Sequence, residues 1–362
     1  SYAGGSREKV NAGRDLSLIM STNGNVGGIT AYNAPTGSVS YCATGNWYLN
    51  NKSNAIGVGT GGIIGMNESE KNLSFLLNRA FVGRQLSSGV TDRFAGGIIG
   101  NQNNTTLEGW KIENCANYGT VYCLNTHYSG GIIGQWTGTG GSIEKCYNLG
   151  NLQTTYQEGW KGASSGIVAQ LYHAYEGNEY NIISCKNYGN IYGQSGRSTA
   201  GCANDSAGIL GNITAYQASE KGAQKYSIQV LDCVNEAGVE IYSSSMASGI
   251  VGFFSSDSPN NSNITEATAN IDLRIERCRN YAYKLQGIQF VGGIFGDRYG
   301  NAGSQKTFLQ DCYSVNPNGT NYNYTNYPII SYASGQSRPG DIQAARNYFF
   351  EAGSYDNWRN GI

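Results

Sequence analysis

The chain has little charge, few histidines and no long apolar run, and each shortage argues against a class of protein. Charged residues make up 14% of the 362 residues and the formal net charge is −1, so neither a basic stripe for nucleic acid nor an acidic tail is present. No apolar run approaches the ~18 residues that a membrane span requires. His127 and His173 are the only histidines, and no HExxH zinc-peptidase motif occurs. We therefore expect no nucleic-acid partner and no membrane span.

Long helical patterns are also missing. The 52 glycines interrupt the apolar stretches, and glycine destabilises the interior of a helix. Only two short segments are helix candidates, Asn72 to Leu77 and Ile342 to Phe350. The second segment lies in a tail without the repeats described next, so we expect it to cap the fold.

A glycine-flanked apolar pair recurs along the chain. The sequence GGIIG at residues 61–65 returns unchanged at residues 96–100 and 130–134, and looser copies follow. The marker glycines of the eight copies are 34 or 35 residues apart up to Gly166 and 41 to 44 residues apart beyond it. A repeat of this period indicates a solenoid or a propeller. The markers are Gly28, Gly62, Gly97, Gly131, Gly166, Gly208, Gly249 and Gly293.

A second phrase, an apolar residue followed by x-x-Cys-x-Asn, lies between the glycine phrases. Each repeat therefore has at least two short strand signals, and segments such as residues 121–123 supply a third. The turns are single glycine or asparagine positions, without the hairpin signals of a four-stranded propeller blade. We predict an all-β fold, a single-stranded parallel β-helix of about eight coils over residues 1–336. A short C-terminal cap or tail would occupy residues 337–362.

Stacked coils would place equivalent residues in columns. A column of cysteines is expected in the core, because free cysteine packs as a small hydrophobe and no CxxC pair points to a metal. We predict no metal and no cofactor. An asparagine ladder is expected beside the cysteines, with amides bonded up and down the stack. The columns would contain Cys115, Cys146, Cys185, Cys233, Cys278 and Cys312, and Asn117, Asn148, Asn187 and Asn235.

These two phrases together resemble the GLUG-type repeat of bacterial surface and secreted proteins, over about residues 20–320. Such repeats occur in adhesin-like proteins and in an accessory region of IgA-cleaving metallopeptidases. The resemblance implies a secreted or cell-surface location and a place in a longer, multidomain chain. The absence of HExxH means that the peptidase chemistry of such a relative would not reside in these residues.

The lengthened repeats are the main positional clue to a function. Most of the extra residues lie between the glycine phrase and the cysteine phrase, so we expect them to emerge at one edge of the solenoid. Tyrosine-rich segments suit contact with sugars or proteins, whereas the alternative is that they only cover a sheet edge. The segments are Leu171 to Tyr180, Asn212 to Tyr226, Phe253 to Asn270 and Asp297 to Lys306. The candidate ligand-binding residues there are Tyr172, Tyr175, Tyr216, Tyr226, Phe254, Arg298 and Tyr299.

A doubled phrase, Glu-Gly-Trp-Lys, adds two further candidates. Trp110 and Trp160 follow the same Glu-Gly pair, and an exposed tryptophan beside a glutamate is a familiar sugar platform. The two copies stand at different places in their repeats, so they need not align in space. Burial at a corner of the fold is the alternative for both.

Three classes of function fit these observations. The first is an extracellular binding or adhesion module that recognises a glycan or glycoprotein through the lengthened loops. The second is a polysaccharide lyase or glycoside hydrolase, which would need carboxylates about 5–9.5 Å apart; the candidates are Asp205, Asp257 and Asp297. The third is a passive stalk or accessory region of a larger protein. The absence of catalytic signatures favours the first.

Overall fold

The computed structural model describes sixteen stretches of the chain. Within them the secondary structure consists of β-strands without a helix, and parallel pairing stacks the strands into five long sheets. The predicted parallel β-helix is confirmed. The described residues are 7–11, 15–21, 24–51, 58–83, 94–104, 109–124, 128–156, 162–174, 178–195, 204–214, 225–255, 270–287, 290–299, 306–316, 342–351 and 359–360.

The first half of the stack contains an entry pair and four coils. The entry pair is β1 (Arg7–Asn11) and β2 (Asp15–Ser21). Coil one contains β3 (Val26–Gly27), β4 (Thr30–Asn33) and β5 (Tyr48–Asn51). Coil two contains β6 (Gly59–Gly61), β7 (Ile64–Asn67), β8 (Leu73–Ser74), β9 (Leu77–Asn78) and β10 (Phe81–Val82). Coil three contains β11 (Phe94–Gly96), β12 (Ile99–Asn104), β13 (Trp110–Glu113), β14 (Ala116–Asn117) and β15 (Val121–Leu124). Coil four contains β16 (Tyr128–Gly130), β17 (Ile133–Gly138), β18 (Gly141–Glu144), β19 (Tyr147–Asn148) and β20 (Leu152–Tyr156).

The second half contains four more coils and a final layer. Coil five contains β21 (Gly162–Ser165), β22 (Val168–Ala174), β23 (Glu179–Ile183), β24 (Lys186–Asn187) and β25 (Ile191–Ser195). Coil six contains β26 (Asn204–Ala207), β27 (Leu210–Thr214), β28 (Lys225–Leu231), β29 (Val234–Asn235) and β30 (Glu240–Ser243). Coil seven contains β31 (Met246–Ser248), β32 (Val251–Ser255), β33 (Asn270–Glu276), β34 (Arg279–Asn280) and β35 (Lys284–Gly287). Coil eight contains β36 (Phe290–Gly292), β37 (Phe295–Tyr299), β38 (Lys306–Gln310) and β39 (Tyr313–Asn316). The final layer is β40 (Ile342–Ala345), β41 (Tyr348–Glu351) and β42 (Arg359–Asn360).

Each full coil visits the five sheets in the same order. Sheet one begins with β3 and ends with β36, sheet two runs from β4 to β37, and sheet three from β8 to β40. Sheet four runs from β9 to β41 and β42, and sheet five from β1 and β2 to β35. Only the pairs β1–β2 and β41–β42 are antiparallel among the described strands. In these two pairs, β1 is the outermost strand of sheet five and β42 is the outermost strand of sheet four.

Two corners explain why the coil has five strand positions where the sequence suggested three: the turn inside the glycine phrase separates sheets one and two, and a left-handed corner separates sheets three and four. The residue before each column cysteine, or its equivalent, has φ between 50° and 55°, and it turns the chain from sheet three into sheet four. The phrase that reads as one strand signal is therefore two short strands at an angle. The corner residues are Tyr41, Phe75, Asn114, Lys145, Ser184, Asp232, Arg277, Asp311 and Arg346.

Both predicted helices are wrong for the same reason. Asn72 to Leu77 contains β8 and the start of β9, and Ile342 to Phe350 contains β40 and most of β41. Phe75 and Arg346 hold the left-handed conformation in the middle of these segments, which a right-handed helix does not allow. The boundary between residues 336 and 337 stays a prediction, although β40 and β41 pair with β38 and β39 and so continue sheets three and four.

The cysteine column forms part of the core, as predicted. All six cysteines are 0% exposed free thiols, packed with the isoleucines of the glycine phrase. The Cys233 Sγ donates weak hydrogen bonds to the carbonyl oxygen of Leu231, at 3.3 Å, and to that of Ile182 in the preceding coil, at 3.4 Å. Among the described residues, no group of three or more histidine, cysteine or acidic side chains has the geometry to hold a metal.

The asparagine ladder is also confirmed and is longer than predicted. Each side-chain Nδ2 donates to the Oδ1 of the next coil at 2.8–2.9 Å, from Asn78 through Asn235. The Thr44 hydroxyl donates to Asn78 at one end, and Asn280 donates to the Ser314 hydroxyl at the other. The ladder members are 0–3% exposed. This continuous row of buried amides fixes the register of the coils, because a slip would leave amides unpaired.

Candidate functional site

Sheets one and two face each other across the tight turn of the glycine phrase. An ideal Cβ on Gly134 of sheet two would lie 2.7 Å from the Ala95 carbonyl oxygen of sheet one, which only a glycine tolerates. One on Gly211 would lie 3.0 Å from the Ala163 Cβ. Two rows of side chains therefore meet beyond the turn, and we call this region the corner cleft. Its sheet-one row is Phe94, Tyr128, Ala163, Asp205 and Met246, and its sheet-two row is Asn101, Gln135, Gln170 and Asn212.

A chain of hydrogen bonds runs through the corner cleft toward a carboxylate. Gln135 Nε2 donates to Gln170 Oε1 at 2.7 Å, and Gln170 Nε2 donates to the Thr214 hydroxyl at 3.2 Å. Thr214 in turn donates to Asn212 Oδ1 at 2.7 Å, and Asn212 Nδ2 donates to Asp205 Oδ2 at 3.1 Å. The four bonds run head to tail from Gln135 to Asp205. The buried amides are thus held in one orientation by their partners.

Tyr128, in the sheet-one row, lies opposite this chain of hydrogen bonds. Burial raises the pKa of its hydroxyl, and the nearby Asp205 carboxylate adds to the rise, while a hydrogen bond with Gln170 opposes it. The Tyr128 ring also stacks on Phe94, with centroids 6.0 Å apart. Tyr128 is therefore a neutral hydrogen-bonding group at physiological pH, and Asp205 is the acidic group of the described cleft rows.

The accessible edge of the cleft is a row of half-buried polar side chains, Asn103, Thr137, Tyr172 and Thr214, which we call the rim row. These four residues are paired in register on successive strands of sheet two. The Thr137 hydroxyl donates to Asn101 Oδ1 at 2.9 Å, as Thr214 does to Asn212. Because each threonine hydroxyl donates its proton to a buried amide, its oxygen retains a lone pair that can accept a hydrogen bond at the surface. Tyr172 lies between the two threonines.

The lengthened segments leave the fold beside the rim row. Each of them connects a strand of sheet two to a strand of sheet three, because β22, β27, β32 and β37 precede them and β23, β28, β33 and β38 follow. This is the single edge that the repeat spacing predicts. A second set of connections joins sheet five to sheet one, and so reaches the opposite wall of the corner cleft.

Two of the residues predicted from the sequence come together at this edge. Asp205 is in the sheet-one row, 3% exposed, and Tyr172 is in the rim row. Both side chains contribute to the raised pKa of the Tyr128 hydroxyl through their charge. Asp297 occupies the sheet-two register position two coils beyond Asn212. Whether these residues bind or act on a ligand stays a prediction.

Trp110 does not lie at a surface, and the ligand contact predicted for it is corrected. It is 3% exposed, and its ring packs edge-on against Trp136 with centroids 4.8 Å apart. Trp136 packs in the same way against Tyr180, whose hydroxyl donates to the Gly138 carbonyl at 2.8 Å. The three rings fill the core between sheets two and three. The alternative considered for Trp110, burial at a corner, is the correct one.

The remaining predicted site residues are only partly described. Tyr175, Tyr216, Asp257 and Trp160 lie outside the described residues. For five further residues, the structure describes the position in a strand but not the side chain. They are Tyr226 in β28, Phe254 in β32, and Asp297, Arg298 and Tyr299 in β37.

The amides of the cleft were missed, although the sequence contains their signal. An Asn or Gln follows the last residue of the glycine phrase in four successive repeats, at Asn101, Gln135, Gln170 and Asn212. Periodic amides outside the asparagine ladder are unusual at a position that a simple solenoid would fill with any polar residue. The sequence alone does not show that sheet one folds against this row.

The fold places the chain among the parallel β-helix proteins. Among solved structures it is similar to that of a "putative immunoglobulin A1 protease" from Bacteroides ovatus, with a TM-score of 0.34, 12% sequence identity, and coverage of 93% of this chain and 83% of that chain. At these values the similarity carries no argument about function. No protein-family model and no curated protein sequence matches the chain. Within the described residues, no helix has the length and apolar character to cross a lipid bilayer.

Proposed function

We propose that this chain is an extracellular recognition module of a bacterial surface or secreted protein, and that it binds a glycan along the rim row and the adjoining lengthened loops. The observation that carries the proposal is Tyr172 between two threonine hydroxyls, each oriented from below by a buried amide. The GLUG-type resemblance of the sequence supports the location and the place in a longer chain.

The rim row has the chemistry that a sugar requires. An aromatic ring offers an apolar face to the C–H side of a pyranose, and its hydroxyl and the neighbouring threonines offer polar contacts to sugar hydroxyls. Because Thr137 and Thr214 already donate to Asn101 and Asn212, a ligand does not have to order them. Preorganised polar groups reduce the entropic cost of binding.

The charges of the cleft favour a neutral glycan. The described members of the cleft rows and the rim row include one carboxylate, Asp205, and no lysine or arginine. The charge of that carboxylate would repel a uronic acid or a sulfated sugar, and no described cation of these rows would offset the repulsion. The four rim positions span three strand spacings, or about 14 Å, so the surface suits an oligosaccharide laid along the stack.

The test is a glycan and mucin binding screen of the purified chain, with mass spectrometry of every bound glycan for new products. For a hit, we expect Tyr172→Ala to raise Kd at least about tenfold, because stacked aromatic side chains dominate such contacts. Thr137→Val removes one oriented hydroxyl and is expected to raise Kd severalfold. The matched control is Tyr242→Ala, a half-buried tyrosine on the outer face of sheet five, which is expected to leave Kd unchanged.

Each other outcome contradicts a defined part of the proposal. Binding that is insensitive to Tyr172 and Thr137 but lost in Tyr216→Ala or Tyr299→Ala places recognition in the loops alone. Shortened or unsaturated sugars identify a carbohydrate-active enzyme and direct attention to Asp205, Asp257 and Asp297. Absence of any bound glycan refutes glycan recognition and leaves the passive stalk.

A further inference from the structure

A row of exposed apolar side chains runs along the corner between sheets four and five, directly outside the asparagine ladder. Each member follows a ladder asparagine, so the row is fixed by the same register as the ladder. Tyr118, Leu149 and Tyr188 occupy it in coils three, four and five and are 50%, 39% and 45% exposed. Large apolar side chains at successive positions on a rigid surface mark an interaction site more often than scattered ones do.

Charges of opposite sign flank these three exposed apolar residues, and beyond Glu236 the row continues to the half-buried Tyr281 in coil seven. Arg79 is the member in coil two and Glu236 is the member in coil six, each one coil beyond an exposed tyrosine. We call the five residues, Arg79, Tyr118, Leu149, Tyr188 and Glu236, the corner row. On either side of Leu149 the corner row has a tyrosine and then a charged residue, and the two charged residues have opposite signs.

We propose that the corner row is the contact surface of a symmetric, antiparallel dimer of this chain. A two-fold axis through Leu149, perpendicular to the stack, places Leu149 against its own copy and Tyr118 against Tyr188 of the second copy. The same axis places Arg79 against Glu236, on both sides of the interface. An isologous interface needs such a self-complementary patch, and the corner row provides it in both shape and charge.

The neighbouring row on sheet four adds to the contact. Its members in coils two to six are Leu77, Ala116, Tyr147, Lys186 and Val234, all half-buried. The axis sets Tyr147 against its own copy, Leu77 against Val234 and Ala116 against Lys186 of the second copy. The contact on the outer face of sheet four is therefore apolar at Tyr147, Leu77 and Val234, and Lys186, which pairs with Glu236 in its own chain, meets no like charge across the axis.

Glu236 already pairs with Lys186 in its own chain, with 2.9 Å between Lys186 Nζ and Glu236 Oε1. This pair is partly exposed, so an approaching Arg79 extends it into a three-membered network and does not compete for a buried site. A patch of this length is small for a protein interface, and small interfaces give weak, reversible association. The dimer is expected at micromolar concentrations and above.

Sedimentation equilibrium across about 1 to 500 µM of the full chain tests the proposal. We expect a monomer–dimer equilibrium for the wild type, and a shift of at least tenfold toward monomer for Leu149→Asp, with an unchanged melting temperature. Ile29→Asp is the matched control, because Ile29 is an equally exposed apolar residue, at 45%, on the turn between sheets one and two. It is expected to leave the equilibrium unchanged.

A charge exchange tests the antiparallel register itself. Arg79→Glu and Glu236→Arg each place like charges together across the axis, and each is expected to weaken the dimer about tenfold. The double variant restores opposite charges and is expected to recover most of the wild-type affinity. A wild type that stays monomeric throughout the range, a Leu149→Asp variant that still dimerises, or a double variant no better than either single variant overturns the proposal.

Discussion

Replacing Asn148 with alanine tests the asparagine ladder at its middle. Asn148 Oδ1 accepts a hydrogen bond from Asn117 Nδ2 at 2.8 Å. Its Nδ2 donates to Asn187 Oδ1 at 2.8 Å and to the Gly150 carbonyl oxygen at 2.9 Å. The side chain is 0% exposed, so water does not replace these partners in the folded state.

The expected cost follows from the groups that the substitution leaves behind. Alanine removes three hydrogen bonds worth about 1 kcal/mol each in net terms, and it leaves one N–H of Asn117 buried without its acceptor, which costs a further ~1–3 kcal/mol. We therefore expect Asn148→Ala to lower the free energy of unfolding by about 4–6 kcal/mol. Asn148→Asp is expected to cost more, although its shape is closer, because an acceptor oxygen in place of Nδ2 would face the Gly150 and Asn187 oxygens and a charge would be buried.

Urea denaturation followed by circular dichroism measures both variants. The matched control is Gln153→Ala, which removes an exposed amide from the outer face of sheet five and is expected to change stability by less than about 0.5 kcal/mol. If Asn148→Asp is as stable as Asn148→Ala, or if both resemble the control, the hydrogen bonds of the ladder do not hold the coils together and the reasoning is refuted.

Two further predictions concern the turn and the thiols. Gly134→Ala is expected to lower the free energy of unfolding by more than about 3 kcal/mol or to prevent folding, because its Cβ would lie 2.6 Å from the Gly100 carbonyl oxygen. The control is Gly45→Ala, whose Cβ would have Trp47 Nε1 at 3.5 Å as its nearest atom. In the same denaturation assay this control is expected to lower the free energy of unfolding by less than about 1 kcal/mol. Burial raises the pKa of the Cys146 and Cys233 thiols, so the unfolded chain releases these protons at a lower pH than the folded chain. The free energy of unfolding is therefore expected to fall as the pH rises above ~8.5, by up to ~1.4 kcal/mol per pH unit for each thiol. Urea titrations at several pH values should show a shallower fall for the Cys146→Ala variant than for the wild type. An equal fall in that variant would contradict the assignment to the thiol.

The sequence predicts those parts of the fold that repeat with one residue type. Cysteine, asparagine and glycine recur at fixed positions, so columns such as Cys185 over Cys146 and Asn187 over Asn148 follow from spacing alone. The left-handed corner could not be predicted in this way, because its residues share a backbone conformation and no side-chain type: Phe75, Lys145 and Asp232 all occupy it. The missed left-handed corner led to the wrong helices, and together with the turn inside the glycine phrase it accounts for five strand positions per coil in place of three.

The candidate site was predictable in its position but not in its chemistry. Insertions at one place in the repeat correctly indicate one edge of the solenoid, between sheets two and three. The corner cleft depends on the angle at which sheet one folds against sheet two at the turn of the glycine phrase, and repeat spacing does not reveal that angle. Trp110 shows the converse error, since a tryptophan beside a glutamate has the same local sequence whether it faces solvent or fills the core.

The asparagine ladder gives the solenoid a direction. Every rung from Thr44 to Asn280 donates toward the C-terminal end, so the amide dipoles add along the axis and the two ends of the stack are chemically different. A coil can satisfy its amide donor only after the following coil has arrived, which couples each layer to its successor. A coil inserted without the asparagine would divide the protein into two separately polarised segments, and unfolding would be expected to begin at that junction.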